Sequence, residues 1–312
     1  MKPDLSVTIA GVRFRNPVIA ASGTFGYGSE YEGLLDIGEL GGICTKGLTL
    51  KPRRGNPGIR IHETPSGLMN SIGLENPGIL VFLEKELPRL RSLGPVVIAN
   101  LSGSDRDEYT RGAALLDASS VDMIELNISC PNVKTGGMQF GLEPAAAAEL
   151  TAAVRKAAAR KPLMVKLSPN APDLAAVARA CVNAGADALS LVNTFRALAI
   201  DTGRRQPVFD NTTAGLSGPA IKPLALRMVW ELWEALREPP AQRGPVPIVG
   251  MGGIASPEDA LEFLMAGAAA VEVGSATFAH PRLMNEITAG IGEYMAGRGI
   301  AAVEGLNIRK RR

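Results

Sequence analysis

The stretch Asn-Ile-Ser-Cys-Pro-Asn, from Asn127 to Asn132, gathers residue types that can do chemistry: a thiol between a hydroxyl and a proline, flanked by two asparagines, at the end of an apolar run. A thiol with an ordinary pKa of about 8.5 acts as a base or a nucleophile once it is deprotonated. A free cysteine is also among the most buried residue types and usually behaves as a small hydrophobe, so these six residues alone leave Cys130 open to either reading. A second chemical marker is Lys166, inside the β-rich run PLMVKLSPN. An ammonium on a buried strand requires an anionic partner, because an unpaired one gives up its proton.

The elements that must position these residues follow from periodicity. From Ile124 apolar and polar residues alternate, which predicts a strand, and Pro131 has no amide hydrogen to continue a central ladder, so the strand should stop near Ser129 or Cys130. Seven comparable runs complete the series: 17–23, 41–49, 95–103, 162–170, 188–194, 247–253 and 270–278. Helical segments lie between several of them, over 144–160, 173–185, 221–237 and 256–267, with Ser256 before Pro257 and Glu258 as an N-cap and Gly185 and Gly267 near C-caps. Eight strand-helix units predict an α/β fold of parallel sheet in its closed form, a single (β/α)8 TIM barrel over residues 1–312, with long loops at the C-terminal face. No composition break marks a second domain.

In such a barrel the C-terminal strand ends meet on one rim. There the sequence places Ser22, Lys46, Asn100, Asn127 with Cys130, Lys166, Asn193 with Thr194, Gly252 with Gly253, and Gly274 with Ser275. Any one of these alone reads as a cap or a turn; together they mark a site. Two inter-strand stretches are much longer than the rest, RGNPGIRIHETPSGLMNSIGLENPG and FRALAIDTGRRQPVFDNTTAGLSGP, and are expected to fold over a ligand. The glycines after the last two strands let backbone amides face an anion, such as the phosphate that barrels often bind there.

Composition narrows the class. A net charge of +2, with the surplus visible in the terminal Arg-Lys-Arg-Arg, gives no basic field for nucleic acid. Three cysteines without C-x-x-C spacing, Cys44, Cys130 and Cys181, argue against a disulfide frame, a structural zinc or an iron–sulfur cluster in this chain, and fit a reducing cytoplasm. Neither a signal peptide nor a membrane span is expected, and the two histidines offer little for a metal, though His62 lies in a long loop within possible reach of a ligand.

The segments ASGTFGYG, GNPGIR, NSIGLENPG, ELNISCPNV, VKLSPN, VNT, GLSGPAIKP and GMGGI, spread from about residue 5 to 280, resemble the class 1 dihydroorotate dehydrogenases, FMN enzymes of pyrimidine synthesis. NISCPNV and NSIGLENPG carry most of the specificity, and ASGTFGYGSEY with SIGLENPG is similar to the class 1B catalytic subunits. The resemblance implies that Cys130 is the base that takes a proton from C5 of dihydroorotate while hydride leaves C6. It implies FMN contacts at Ser22, Lys46, Gly47, Asn100, Asn127, Lys166, Val192, Gly218, Gly252, Gly253, Gly274 and Ser275, and makes the reduced flavin the anionic partner of Lys166. Gly47 stands where close relatives often carry alanine or serine. For the substrate it implies Lys46, Asn70, Ser71, Ile72, Gly73, Leu74, Asn127, Asn132, Asn193 and Thr194, whose amides suit the alternating groups of a pyrimidine. No metal is implied.

Class 1B also implies a partner: an electron-transfer subunit with FAD and a [2Fe–2S] cluster that reduces NAD, around a homodimer core in a heterotetramer. The chain shows no G-x-G-x-x-G after a first strand for binding NAD itself. Alternatives are a fumarate-using class 1A enzyme, a flavin domain like that of dihydropyrimidine dehydrogenases, and, from a different class, a sugar-phosphate isomerase or lyase barrel.

Overall fold

The structure, a computed structural model, describes residues 2–129, 140–237 and 245–308. The chain opens with a hairpin of β1 (Val7–Ile9) and β2 (Val12–Phe14), turned at Ala10 and Gly11, both with positive φ (48° and 82°). Paired left-handed residues give the tight turn whose twist matches the strands it joins. Ile9 and Phe14 carry the hairpin into the main core.

Eight strands then close into a parallel barrel: β3 (Val18–Ala20), β4 (Gly42–Cys44), β7 (Val96–Leu101), β8 (Met123–Asn127), β9 (Leu163–Lys166), β10 (Ala188–Leu191), β15 (Ile248–Met251) and β16 (Ala270–Val273), which pairs back with β3. These are the eight runs read from the sequence, each trimmed to its hydrogen-bonded centre. Burial on both faces explains their nearly continuous apolar character. The polar exceptions, Asn100, Glu125, Asn127, Lys166, Ser190 and Glu272, are all buried.

The outer layer comprises α1 (Ile79–Val81), which runs through a π-helical turn into α2 (Leu87–Leu93), followed by α3 (Arg106–Asp117), α4 (Pro144–Ala157), α5 (Leu174–Asn183), α6 (Lys222–Ala235), α7 (Pro257–Ala266) and α8 (Leu283–Gly297). Between β3 and β4 two 3-10 turns replace the helix, in a stretch where Gly23, Gly26, Gly28 and Gly33 all take positive φ and break any longer helix. The caps of α7 are those expected: Ser256 Oγ accepts from the Asp259 amide at 3.2 Å, and Gly267 turns left-handed at φ 113°. A Cβ on Gly267 would lie 2.3 Å from the Trp233 ring, so only glycine fits there.

The two long inter-strand segments are not loops throughout. One supplies β5 (Ile61–Thr64) and β6 (Gly67–Asn70), the other β11 (Phe195–Leu198), β12 (Ile200–Asp201), β13 (Gln206–Pro207) and β14 (Thr213–Ser217). β11, β14, β6 and β5 form one antiparallel sheet, while β12 and β13 make a separate hairpin. Pairing of Gly215 with both Arg196 and Asn70 locks segments distant in sequence into one cover. A small core of Met69, Phe209 and Ala214 anchors it.

Candidate active site

A cavity of about 900 Å³ opens at the C-terminal ends of the barrel strands, under the four-stranded sheet. Its size is within the range of small-molecule and cofactor sites. Every described residue that the strand ends or the resemblance assign to the site lines it: the strand-end set from Ser22 to Ser275, with Gly47, Val192, Gly218 and the Asn70–Leu74 segment. Cys130 and Asn132 lie outside the described residues, as does the basic tail from Arg309. Ser129, which precedes Cys130, lines the cavity. His62 does not; its ring meets Phe209 edge-on at 6.3 Å.

The strands explain the convergence. Asn127 and Lys166 are the last residues of β8 and β9 and stand side by side in register. Asn127 Oδ1 accepts from the Ser129 amide at 3.2 Å and from Ser129 Oγ at 2.7 Å, and Ser129 Oγ accepts in turn from Asn193 Nδ2. Asn193 Oδ1 accepts from the Thr194 amide at 2.8 Å. Two side-chain amides are thereby fixed on one wall. From the covering sheet, Asn70 donates to the Gly215 carbonyl at 3.4 Å.

Seven charged residues line the cavity: Arg53, Arg60, Arg196, Glu75 and Glu272, with the two lysines, Lys46 and Lys166, at barrel strand ends. Lys46, just beyond β4, is half-buried and forms no ion pair or side-chain hydrogen bond with another described residue; burial lowers its pKa while Glu75 pulls it back up. An unpaired ammonium in a cavity wall is suited to a carboxylate.

Lys166 departs from expectation. Its anionic partner is already in the protein: Nζ lies 3.7 Å from Glu125 and 3.7 Å from Glu272, and donates to Ser22 Oγ at 3.1 Å. Burial favours the neutral amine, but its acidic neighbours, Glu125 foremost, outweigh it and raise the pKa. Glu125 is fully buried and accepts from Ser190 Oγ at 2.6 Å, from Cys44 Sγ at 3.1 Å and from Asn100 Nδ2. Burial alone would raise its pKa; Lys166 and these donors hold it below the usual range. Cys44, which the sequence offered only as one of three cysteines, is inert in this company: burial first, then the charge of Glu125, pushes its thiol well up.

The opposite wall is backbone. The amides of Gly253, Gly274, Ser275 and Ala276, just beyond β15 and β16, donate to no other described residue. Gly253 has φ 77°, and a Cβ there would lie 2.8 Å from the Gly218 carbonyl. Gly47 is close-packed too: a Cβ would approach Asn100 Oδ1 and a Leu74 methyl, each at 3.1 Å. Amides that donate to no other described residue, a buried ammonium in the wall and an apolar neighbour in Val192 are groups that suit a flavin bearing an anionic group.

The sequence profile described as dihydroorotate dehydrogenase matches residues 4–295. The dihydroorotate dehydrogenase B (NAD(+)) catalytic subunit of Petrotoga mobilis is 56% identical over 301 residues, 96% of this chain and 97% of the relative. The proteins of the same name from Geotalea daltonii and Trichlorobacter lovleyi are 53% and 52% identical, each over 98% of this chain and 97% and 98% of theirs. A closed barrel, a rim that gathers the expected residues and likeness over nearly the whole length agree: this chain belongs to the dihydroorotate dehydrogenase family, on the branch of its NAD-linked B catalytic subunits.

Proposed function

We propose that the chain, as one FMN-binding barrel domain over residues 1–312, oxidises (S)-dihydroorotate to orotate in pyrimidine synthesis, and that it works in the cytoplasm as the catalytic subunit of an NAD-linked enzyme. The observation that carries this reading is the sharing of one cavity by two unlike anion sites: Lys46, which pairs with no other described residue, on one wall, and Lys166 with the amides of Gly253, Gly274, Ser275 and Ala276, which donate to no other described residue, elsewhere in the lining. A substrate with one carboxylate and a cofactor with a phosphate need both.

When bound, FMN supplies a hydride acceptor for C6 of the substrate. The chain's own residues do the rest. Lys46 pairs with the substrate carboxylate, and Asn70, Asn127, Asn132 and Asn193 hold the pyrimidine ring by its alternating donors and acceptors, with Ser71 to Leu74 and Thr194 beside them. Cys130 takes the proton from C5; its neighbour Ser129 lines the cavity, on the wall where Asn127 and Asn193 are fixed. Lys166 offsets negative charge at the flavin edge, and Ser22, Gly47, Asn100, Val192, Gly218 and Gly252 complete the cradle.

The electrons then leave through a second subunit with FAD and a [2Fe–2S] cluster, docked on a homodimer of this chain. Among the described residues no helix is long and apolar enough to cross a membrane, where a quinone would be met. Purified alone, the chain should pass electrons from dihydroorotate to artificial dyes but reduce neither NAD nor fumarate at a useful rate; addition of an FAD and iron–sulfur partner should restore NADH formation. Rapid turnover of the lone chain with fumarate would overturn the NAD-linked assignment.

A further inference from the structure

The quartet of Cys44, Glu125, Lys166 and Glu272 contains more acid than it can ionise. Its thiol sulfur and carboxylate oxygens lie within 4.8 Å of one another, in side chains that are fully buried. Both carboxylates ionised against one ammonium would leave an uncompensated negative charge in the barrel interior, and two buried carboxylates so close together disfavour ionising together.

Hydrogen bonding decides which one keeps a proton. Glu125 is surrounded by donors, from Ser190, Cys44 and Asn100, in addition to the charge of Lys166. Among the described residues neither carboxyl oxygen of Glu272 has a hydrogen-bond partner, and the ammonium of Lys166 stays at 3.7 Å. The groups facing Glu272 are few. β8 presents Glu125, β9 Lys166 and β4 Cys44; β7 and β10 present the neutral Asn100 and Ser190; β3 and β15 carry no titratable side chain. Glu272 also lines the cavity, as do Gly274 and Ser275, which follow it after Val273.

We infer that Glu272 is held as a neutral carboxylic acid and serves as a positioning residue for Lys166, so that the ammonium is balanced by Glu125 alone and its remaining field is directed at the anionic group in the cavity. The inference rests in part on the flavin reading of that cavity. Burial first, and the neighbouring Glu125 charge second, push the Glu272 carboxyl up to about 8, in line with the geometry. Above that pH an ionised Glu272 would divert Lys166 and repel the negative charge that a flavin gains on reduction; reduction would then draw one proton from solvent onto Glu272.

Two measurements on the full chain separate this inference from the flavin reading. Infrared spectra of the wild-type protein near neutral pH should show the carbonyl band of a protonated buried acid; it should be missing in E272Q and, in the wild type alone, should vanish as pH is raised past about 8. Potentiometry of the flavin-loaded protein should give wild-type and E272Q midpoints that coincide near about pH 6 and separate above about pH 8, with the wild type lower. Absence of the acid band from wild-type protein, or midpoints that run parallel at every pH, would overturn the inference. Failure to bind any flavin would contradict the proposed function, yet the infrared titration would still decide where the proton sits.

Discussion

At the scale of single residues, the polar strand ends were legible because a barrel turns scattered positions into neighbours, and Lys46, Asn100, Asn127, Lys166 and Asn193 do share one cavity. Glu125 and Glu272 were not. Each sits inside a short buried strand, and nothing local in IELN or AVEV says that its side chain meets a lysine from another strand. The missed signal was Lys166 itself, whose anionic partner was sought in a cofactor instead of among glutamates on other strands. Two predictions follow at this scale. Cys130→Ala should retain flavin but slow its reduction by dihydroorotate by about 10²- to 10⁴-fold, the usual contribution of a positioned base; rapid anaerobic mixing reads it directly. Lys166→Met should cost about 3–5 kcal/mol of stability, because it strands the buried Glu125 carboxylate. Urea unfolding measures that cost, and adding Glu125→Gln to the same chain should recover most of it. A Lys166→Met protein as stable as the wild type would show that the ion pair is dispensable.

At the scale of elements, all eight barrel strands were predicted, since runs buried on both faces are apolar and bounded by turn residues, and the four helices read between them were found with their ends moved by a few residues. The covering sheet was read only as long loops. Its strands are four to five residues long and partly exposed, so their composition resembles that of a loop; only the Thr64-Pro-Ser-Gly67 turn between two short runs marks a hairpin. The N-terminal hairpin, turned at Ala10 and Gly11, was not read from the sequence either. The sheet makes a specific demand at Gly215, where a Cβ would lie 2.1 Å from Thr194 Oγ1. Gly215→Ala should therefore displace Thr194 and the Asn70 pairing, and lower kcat/KM for dihydroorotate by about 10²-fold, since small misplacements of positioning groups cost that much. Flavin content should be unchanged, because Lys166 and the Gly253 and Gly274 turns belong to the barrel. Loss of flavin together with activity would mean that sheet and barrel are not separable in this way.

At the scale of the whole molecule, buried charge sets how stability responds to pH. Burial, and the Glu125 charge beside it, push the Glu272 carboxyl up to about 8 in the folded chain, against 4.5 for an ordinary glutamate. A group whose pKa rises on folding contributes stability that is complete below its unfolded pKa and is lost as pH climbs through the folded one, so this contribution should decline between about pH 4.5 and 8. Urea midpoints should therefore fall from mildly acid to alkaline pH in the wild type and fall less in Glu272→Gln; equal slopes would remove Glu272 as the source. Fold and activity were legible at this scale because the motifs extend over nearly the whole chain, and the family profile covers residues 4–295. The internal charge balance was not, since it depends on which side chains the closed barrel brings within a few ångströms. The central claim, that this cavity oxidises dihydroorotate, is tested most directly by the visible spectrum of the purified chain under anaerobic addition of dihydroorotate or dihydrouracil. We predict a yellow protein whose flavin band is bleached by dihydroorotate and left intact by dihydrouracil. A colourless protein that takes up no FMN, or bleaching by dihydrouracil alone, would contradict the account.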